Sequence, residues 1–245
     1  MNIIVEILLS YIVLILWAGY FSIALFFKEM KYKYISLLIL IFYLLWIIYR
    51  IFYTGFAPFS NLYESLIFFG LLYTIKIKLN EKDRSLSGLL SIAGIALTLI
   101  TLFIPIKNRV ITTTLPSLIS YWIYIHVPLI FIGYLSLLVS FIIAVMMRIG
   151  KNQYKSLLGK ELKLSLFFIT AGIMSGGFWA DKSWGVFWGW DPKEIWALIV
   201  WIFLVAAVHI KKSNLKFYFI LLSFLAMAFT YFGVTYLLSG LHSYG

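Results

Sequence analysis

Trp184-Gly185-Val186-Phe187-Trp188-Gly189-Trp190-Asp191-Pro192-Lys193-Glu194-Ile195-Trp196 lies between two long apolar runs and has the character of neither. Six of the nine tryptophans (179, 184, 188, 190, 196 and 201) fall within 23 residues here. Gly185 and Gly189 break the local periodicity, and one carboxylate stands just before a proline. A helix buried in lipid has no use for such a mixture. An aromatic platform at a membrane surface, laid out for a large planar ligand, does.

The rest of the chain supplies the membrane. Of its 245 residues 63% are hydrophobic and 12% charged, and the mean hydropathy is +1.01, which places it among polytopic membrane proteins. The formal net charge of +11 does not indicate nucleic acid, because the cations fall in short clusters between apolar runs. With no cysteine, the chain forms no disulfide, offers no thiolate to a metal and passes no thiol–disulfide equivalents. The first apolar run lacks a basic leader and a small-residue cleavage site, and is read as a retained span.

Eight apolar runs can be counted: Ile3–Phe27, Tyr34–Tyr53, Asn61–Leu79, Leu86–Ile104, Trp122–Met147, Leu162–Phe178, Ile195–Ile210 and Leu215–Leu238. Each is close to the ~20 residues a helix needs to cross the hydrocarbon core. Lipid leaves backbone groups no outside partner, so the expected fold is an all-α bundle of about eight transmembrane helices in a single domain, residues 1–245. The segments after runs 1, 3, 5 and 7, together with the run ends that flank them, hold fifteen of the twenty lysines and arginines. By the positive-inside rule those segments are cytoplasmic. Both termini and the tryptophan-rich loop, taken as residues 179–194, are then extracytoplasmic.

Asp191 is placed to cap run 7, with Pro192 at the first helical position and Glu194 at the third, a capping-box pattern. Capping alone accounts for both acids. An interfacial aromatic belt accounts for one or two tryptophans, whereas six with interleaved glycines point to a binding surface.

The three histidines sort by side. His126, near the start of run 5, and His242, beyond run 8, fall on the side of the tryptophan loop; His209 lies at the other end of run 7. A lone interfacial histidine is often only a tolerated polar group, and His209 could simply meet the last carbonyls of its helix. Two histidines beside an aromatic platform are better explained together, as imidazoles on opposite faces of one metal. His209, if a ligand, serves a second site. Catalytic zinc wants ligands converging on one point, and proton pumping wants acids through the bilayer, where only Glu6 and Glu64 stand within runs. Haem needs axial imidazoles and aromatic walls. Two other classes remain open: a small-solute transporter, with helices broken in mid-membrane, and a haem-binding electron-transfer subunit, with histidine pairs inside the bilayer.

The tryptophan segment resembles the signature of the haem-handling proteins of cytochrome c maturation, and its Asp191-Pro192-Lys193-Glu194 continuation resembles the CcsA (ResC) branch. Pro58-Phe-Ser-Asn61-Leu-Tyr-Glu64-Ser65, Trp122-x3-His126-Val127 with Gly133-Tyr134, and the terminal Gly-Leu-His-Ser-Tyr are similar to further segments of that family, from about residue 58 to the C-terminus. Where the family often has an asparagine in the last span, this chain has Thr235. The resemblance implies that haem b is carried outward across a bacterial cytoplasmic membrane and presented beneath the tryptophan loop. His126 and His242 are then the outer axial ligands, and Trp184, Trp188, Trp190 and Asp191 belong to the cofactor-binding segment. His209 marks the inner haem site. The implied partners are a CcsB-type (ResB) membrane subunit and an apocytochrome c, whose Cys-x-x-Cys-His thiols take up the haem vinyls as in a holocytochrome c synthase.

Overall fold

The structure is a computed structural model that describes residues 3–26, 32–59, 61–81, 83–106, 109 and 120–238. Those residues are helical with short connections and no strand. In chain order the helices are α1 (Ile3–Phe26), α2 (Tyr32–Thr54), α3 (Leu62–Leu79), α4 (Arg84–Phe103), α5 (Ile123–Arg148), α6 (Lys155–Trp184), α7 (Pro192–His209) and α8 (Ser213–Ala228). A one-turn helix, Asn152–Tyr154, leads into α6, and α8 continues through a π-helical turn, Phe229–Gly233, into Val234–Leu237.

Seven of these helices are long and apolar enough to span a membrane, counting α8 and its continuation as one. The remaining run is α3, which has 18 residues but carries Glu64, Lys76 and Lys78. The chain is a multi-pass helical membrane protein, and the apolar runs locate its helices to within a turn in most cases. The exception is α6. It extends from Lys155 to Trp184, so Trp179, Asp181, Lys182 and Trp184 are helical and the irregular segment shrinks to Gly185–Asp191. Only there, at Gly185 (φ 75°), does a left-handed residue stop the helix.

The chain divides into two compact units, Met1–Thr113 and Thr114–Gly245. In the first, α1 packs on α2 and α4, and α3 packs on α2 and α4. Its centre is aromatic: Trp17, Tyr20, Trp46, Tyr63 and Tyr73 are fully buried. Close approach depends on glycine. A Cβ on Gly94 would stand 2.7 Å from the Trp17 ring and one on Gly70 would stand 2.5 Å from Tyr43. Helix starts are capped as their sequences dictate, Asn61 accepting from the Glu64 N–H at 2.9 Å and Asp83 from that of Leu86 at 3.0 Å.

In the second unit α5 and α6 form the principal pair, α7 pairs with α8, and α8 also packs on α5. Apolar side chains gain little by leaving lipid for each other, so such helices associate through small residues that let backbones meet. The α5–α6 seam is built this way. A Cβ on Gly133 would stand 2.8 Å from the Ile169 nitrogen, and one on Gly172 would stand 3.0 Å from the Ile130 Cα. Ser165 donates across the seam to the Gly133 carbonyl at 2.9 Å. Pro128 lies inside α5, in its second turn. Thr235 donates to the Tyr231 carbonyl of its own helix at 2.8 Å.

Candidate functional site

The α5–α6 seam sets the position of His126. Its Nδ1 lies 2.8 Å from the carbonyl oxygen of Gly172. That oxygen can only accept, so Nδ1 carries the hydrogen and a neutral ring keeps its lone pair on Nε2. Fixing one nitrogen on a carbonyl so that the other is the ligating one is how proteins prepare an imidazole for a metal. Gly176 makes room for the ring: a Cβ there would stand 2.8 Å from both Cε1 and Nδ1. Gly172 and Gly176 stand one helical turn apart on α6, a small-xxx-small spacing whose vacancy the imidazole occupies.

Trp179, buried on α6, stacks parallel to the His126 ring (centroids 6.0 Å, planes 10° apart), and Trp184 meets Trp179 edge-on at 4.9 Å. Trp122 stacks on Phe178 at 4.9 Å. Phe187 folds back over Gly177, where a Cβ would stand 2.4 Å from the ring, and packs against Phe178 at 5.3 Å. His126 thus stacks on Trp179, which Trp184 meets in turn, while Trp122, Phe178 and Phe187 form an aromatic cluster on the adjoining residues.

That segment is held by Glu194. Its Oε2 accepts from the Gly189 N–H at 2.8 Å and the Asp191 N–H at 3.1 Å, while Asp191 accepts from the Lys193 N–H at 3.1 Å. The capping box expected from the sequence is present, with Pro192 at the helix start. Beyond the box, the bond to Gly189 pins the chain on both sides of Trp190. Trp190 is the one described non-glycine residue with a positive φ, 56°. It is 67% exposed and makes an edge-on contact with Trp188 at 5.9 Å. A bulky side chain in left-handed backbone is strained, and strain maintained by surrounding bonds concentrates at functional segments.

The tryptophans thus divide by task. Trp179 and Trp184 gather near His126, and Trp188 and Trp190 occupy the irregular segment. Trp196 packs on Phe229 at 4.2 Å, and Trp201 donates from its indole to Thr170 at 2.9 Å, bracing α7. Asp191 is buried and occupied as a cap. His209 ends α7, some ~27 Å of helix from Pro192. It is exposed, with Nδ1 on the Val205 carbonyl at 2.8 Å. The helix-end explanation therefore describes its Nδ1. His242 lies outside the described residues. Among the described residues no three His, Asp or Glu side chains converge on one point.

Trp179, Gly176 and the Glu194 clamp were not singled out as site residues from sequence. Trp179 follows from α6 reaching Trp184, Gly176 from the pairing of α5 with α6, and the Glu194 clamp needs the fold of the loop, which no spacing reveals.

A model of the cytochrome C assembly protein family matches residues 59–242. The chain is 30% identical over 248 residues to the cytochrome c biogenesis protein CcsA of Welwitschia mirabilis, covering 81% of each. It is 27% identical over 260 residues to CcsA of Prochlorococcus marinus (strain MIT 9515), covering 87% of this chain and 83% of that one. Among solved structures, the cytochrome c haem lyase CcmF has a similar fold, with a TM-score of 0.69 and 18% identity over 92% of this chain and 45% of that chain.

Proposed function

Since the chain belongs to the cytochrome C assembly protein family, as a CcsA-type member acting in cytochrome c maturation, we propose that it presents haem to apocytochrome c. Haem is the substrate, held beneath the segment Gly185–Asp191. The observation that carries this reading is the His126 imidazole, tethered through Nδ1 to Gly172 and stacked on Trp179. The donor set fits haem: an imidazole fixed through Nδ1 and stacked on an aromatic ring, with no three converging His, Asp or Glu side chains among the described residues of the kind a lone cation demands.

In this reading His126 and His242 are the axial pair, with both termini and the tryptophan segment extracytoplasmic. Trp184, Trp188 and Trp190 cover the macrocycle face, while Glu194 and Asp191 fix the segment that carries them. His209 serves an inner haem site that a CcsB-type subunit completes. Bound haem supplies an iron and two vinyl groups; the chain supplies orientation, so that incoming Cys-x-x-Cys-His thiols meet the vinyls at high effective concentration. In this reading the membrane is a bacterial cytoplasmic membrane, with the plastid thylakoid membrane as the alternative.

The test is an optical spectrum of the chain purified with its partner subunit. A bis-histidine haem spectrum is expected, weakened by His126→Ala and by His242→Ala, with cytochrome c assembly lost in both. An unchanged spectrum in the double variant would remove the ligand assignment. Haem retained without attachment to an apocytochrome in a reconstituted host would point to an electron-transfer subunit instead.

A further inference from the structure

Apart from His209, the haem reading makes no use of the end of the second unit opposite the tryptophan segment. There α5 ends at Arg148, α6 begins at Lys155 and α8 begins at Ser213. Eight lysines and arginines, from Arg148 to Lys163 and from Lys211 to Lys216, lie at this end. Among the described residues a single carboxylate accompanies them, that of Glu161, which is buried on α6. Lys155 and Lys216 stand within electrostatic reach of each other, so like charges are held together where α6 and α8 start. Such a surplus at the end of membrane helices attracts anions from outside the chain.

Arg148 has a defined place among these cations. It is exposed, and its guanidinium carbon lies 4.5 Å from the ring centroid of Phe217 and 5.7 Å from that of Tyr218, near the start of α8. Among the described residues no carboxylate forms a salt bridge with it. A cation–π contact holds the charge but consumes none of the five N–H donors, which remain for an oxyanion. One and two turns back along the same face of α5 stand Val145 and Phe141. Phe141 stacks on Phe224 of α8 at 4.3 Å, and Val145 stays exposed between the two contacts. On α8, Leu215, Tyr218, Leu222 and Leu225 are exposed, and their spacing of three and four places them along one face for ~15 Å. A cation thus stands at the head of an apolar strip, the amphipathic outline of a membrane lipid. We propose that Arg148 and the α5–α8 face bind an anionic phospholipid, with its phosphodiester on the guanidinium and an acyl chain along Val145, Tyr218, Leu222 and Leu225. A free phosphate would meet the cation and leave the strip unused. A zwitterionic lipid would bring its own cation into a region already positive. The site rests on the membrane-spanning fold of the second unit and is independent of the haem reading.

The test uses the full chain in membranes. Phosphatidylglycerol and phosphatidylcholine, each carrying a photoactivatable group in the acyl chain, are compared by mass spectrometry of the labelled peptides. Preferential labelling of the Leu215–Leu225 segment by phosphatidylglycerol is expected in the parent chain, and equal labelling by the two lipids would overturn the site. Arg148→Gln should reduce the preference about fivefold, the equivalent of the ~1 kcal/mol that one cation contributes at an anionic membrane surface. Lys160→Gln removes an exposed cation from the same end and should leave the preference unchanged. Equal losses in the two variants would assign the effect to diffuse charge and overturn the site. Loss of the preference on adding inorganic phosphate at constant ionic strength would identify a phosphate site in place of a lipid site. Protection of the segment from both lipids would mean that a protein covers this face, and either result overturns the proposal.

Discussion

Gly176 lies so close to the His126 imidazole that a Cβ on it would stand 2.8 Å from two ring atoms. Because that ring is tethered to Gly172, one turn earlier on the same helix, it cannot yield without leaving its carbonyl. Gly176→Ala is therefore expected to displace His126 while leaving membrane insertion intact. The measurement is the haem spectrum of the purified complex, which should weaken as it does for His126→Ala. A full spectrum in Gly176→Ala would mean that the ring has an alternative position.

Glu194 joins two backbone groups with one oxygen, so its removal should release the segment as well as the helix start. Loss of a cap costs typically ~1 kcal/mol, and each hydrogen bond contributes about that much again. Glu194→Ala is expected to lower the thermal midpoint and haem retention together. Glu194→Gln keeps an acceptor oxygen and should recover most of both. Equal losses in the two variants would assign Glu194 a role that depends on its charge.

Trp190 separates stability from binding. Its left-handed backbone costs on the order of 1–3 kcal/mol for a non-glycine residue, and glycine avoids that cost. Trp190→Gly should leave the thermal midpoint unchanged or higher while haem retention falls. Trp190→Ala loses the ring but keeps the strain, so its retention should fall alike without the gain in stability. Full retention in both would return the ring to the interfacial aromatic belt.

In the first unit the fully buried Arg50 donates to Glu6 at 2.6 Å, to Glu64 at 2.9 Å and to the Arg109 carbonyl at 2.8 Å. Breaking a buried ion pair by removing one partner costs roughly 3–5 kcal/mol, because a charge is left uncompensated. Arg50→Met leaves Glu6 and Glu64 facing each other's charge and should sharply lower the yield of folded protein. The triple variant Glu6→Gln, Arg50→Met, Glu64→Gln should recover part of that loss. No recovery would show that the guanidinium's hydrogen bond to the Arg109 carbonyl outweighs the ion pairs.

How far the fold was legible depended on which physics controlled each element. Apolar runs located the helices because lipid permits little else, and Asp191, Pro192 and Glu194 announced the start of α7 because capping is local. The end of α6 was misplaced because Asp181, Lys182 and Ser183 read as a loop. In the structure they form the last turns of a helix that only Gly185 stops. Glu6, Arg50 and Glu64 were each visible as charges near the ends of apolar runs. Their union was not, since it depends on helix pairing that a single sequence does not encode in any spacing. His126 was visible as a candidate; its tether to Gly172 was not.

The π-helical turn at Phe229–Gly233 holds about one residue more than an α-helical turn would. Deleting one residue there would restore the ordinary ladder, and because the turn absorbs its surplus residue, Val234–Leu237 would keep nearly their present azimuth about the helix axis. In a regular α-helix the same surplus residue would turn Val234–Leu237 by about 100°; here a single turn takes it up. A change in chain length of one is thereby confined to a single turn, and the helix on either side of it keeps its facing.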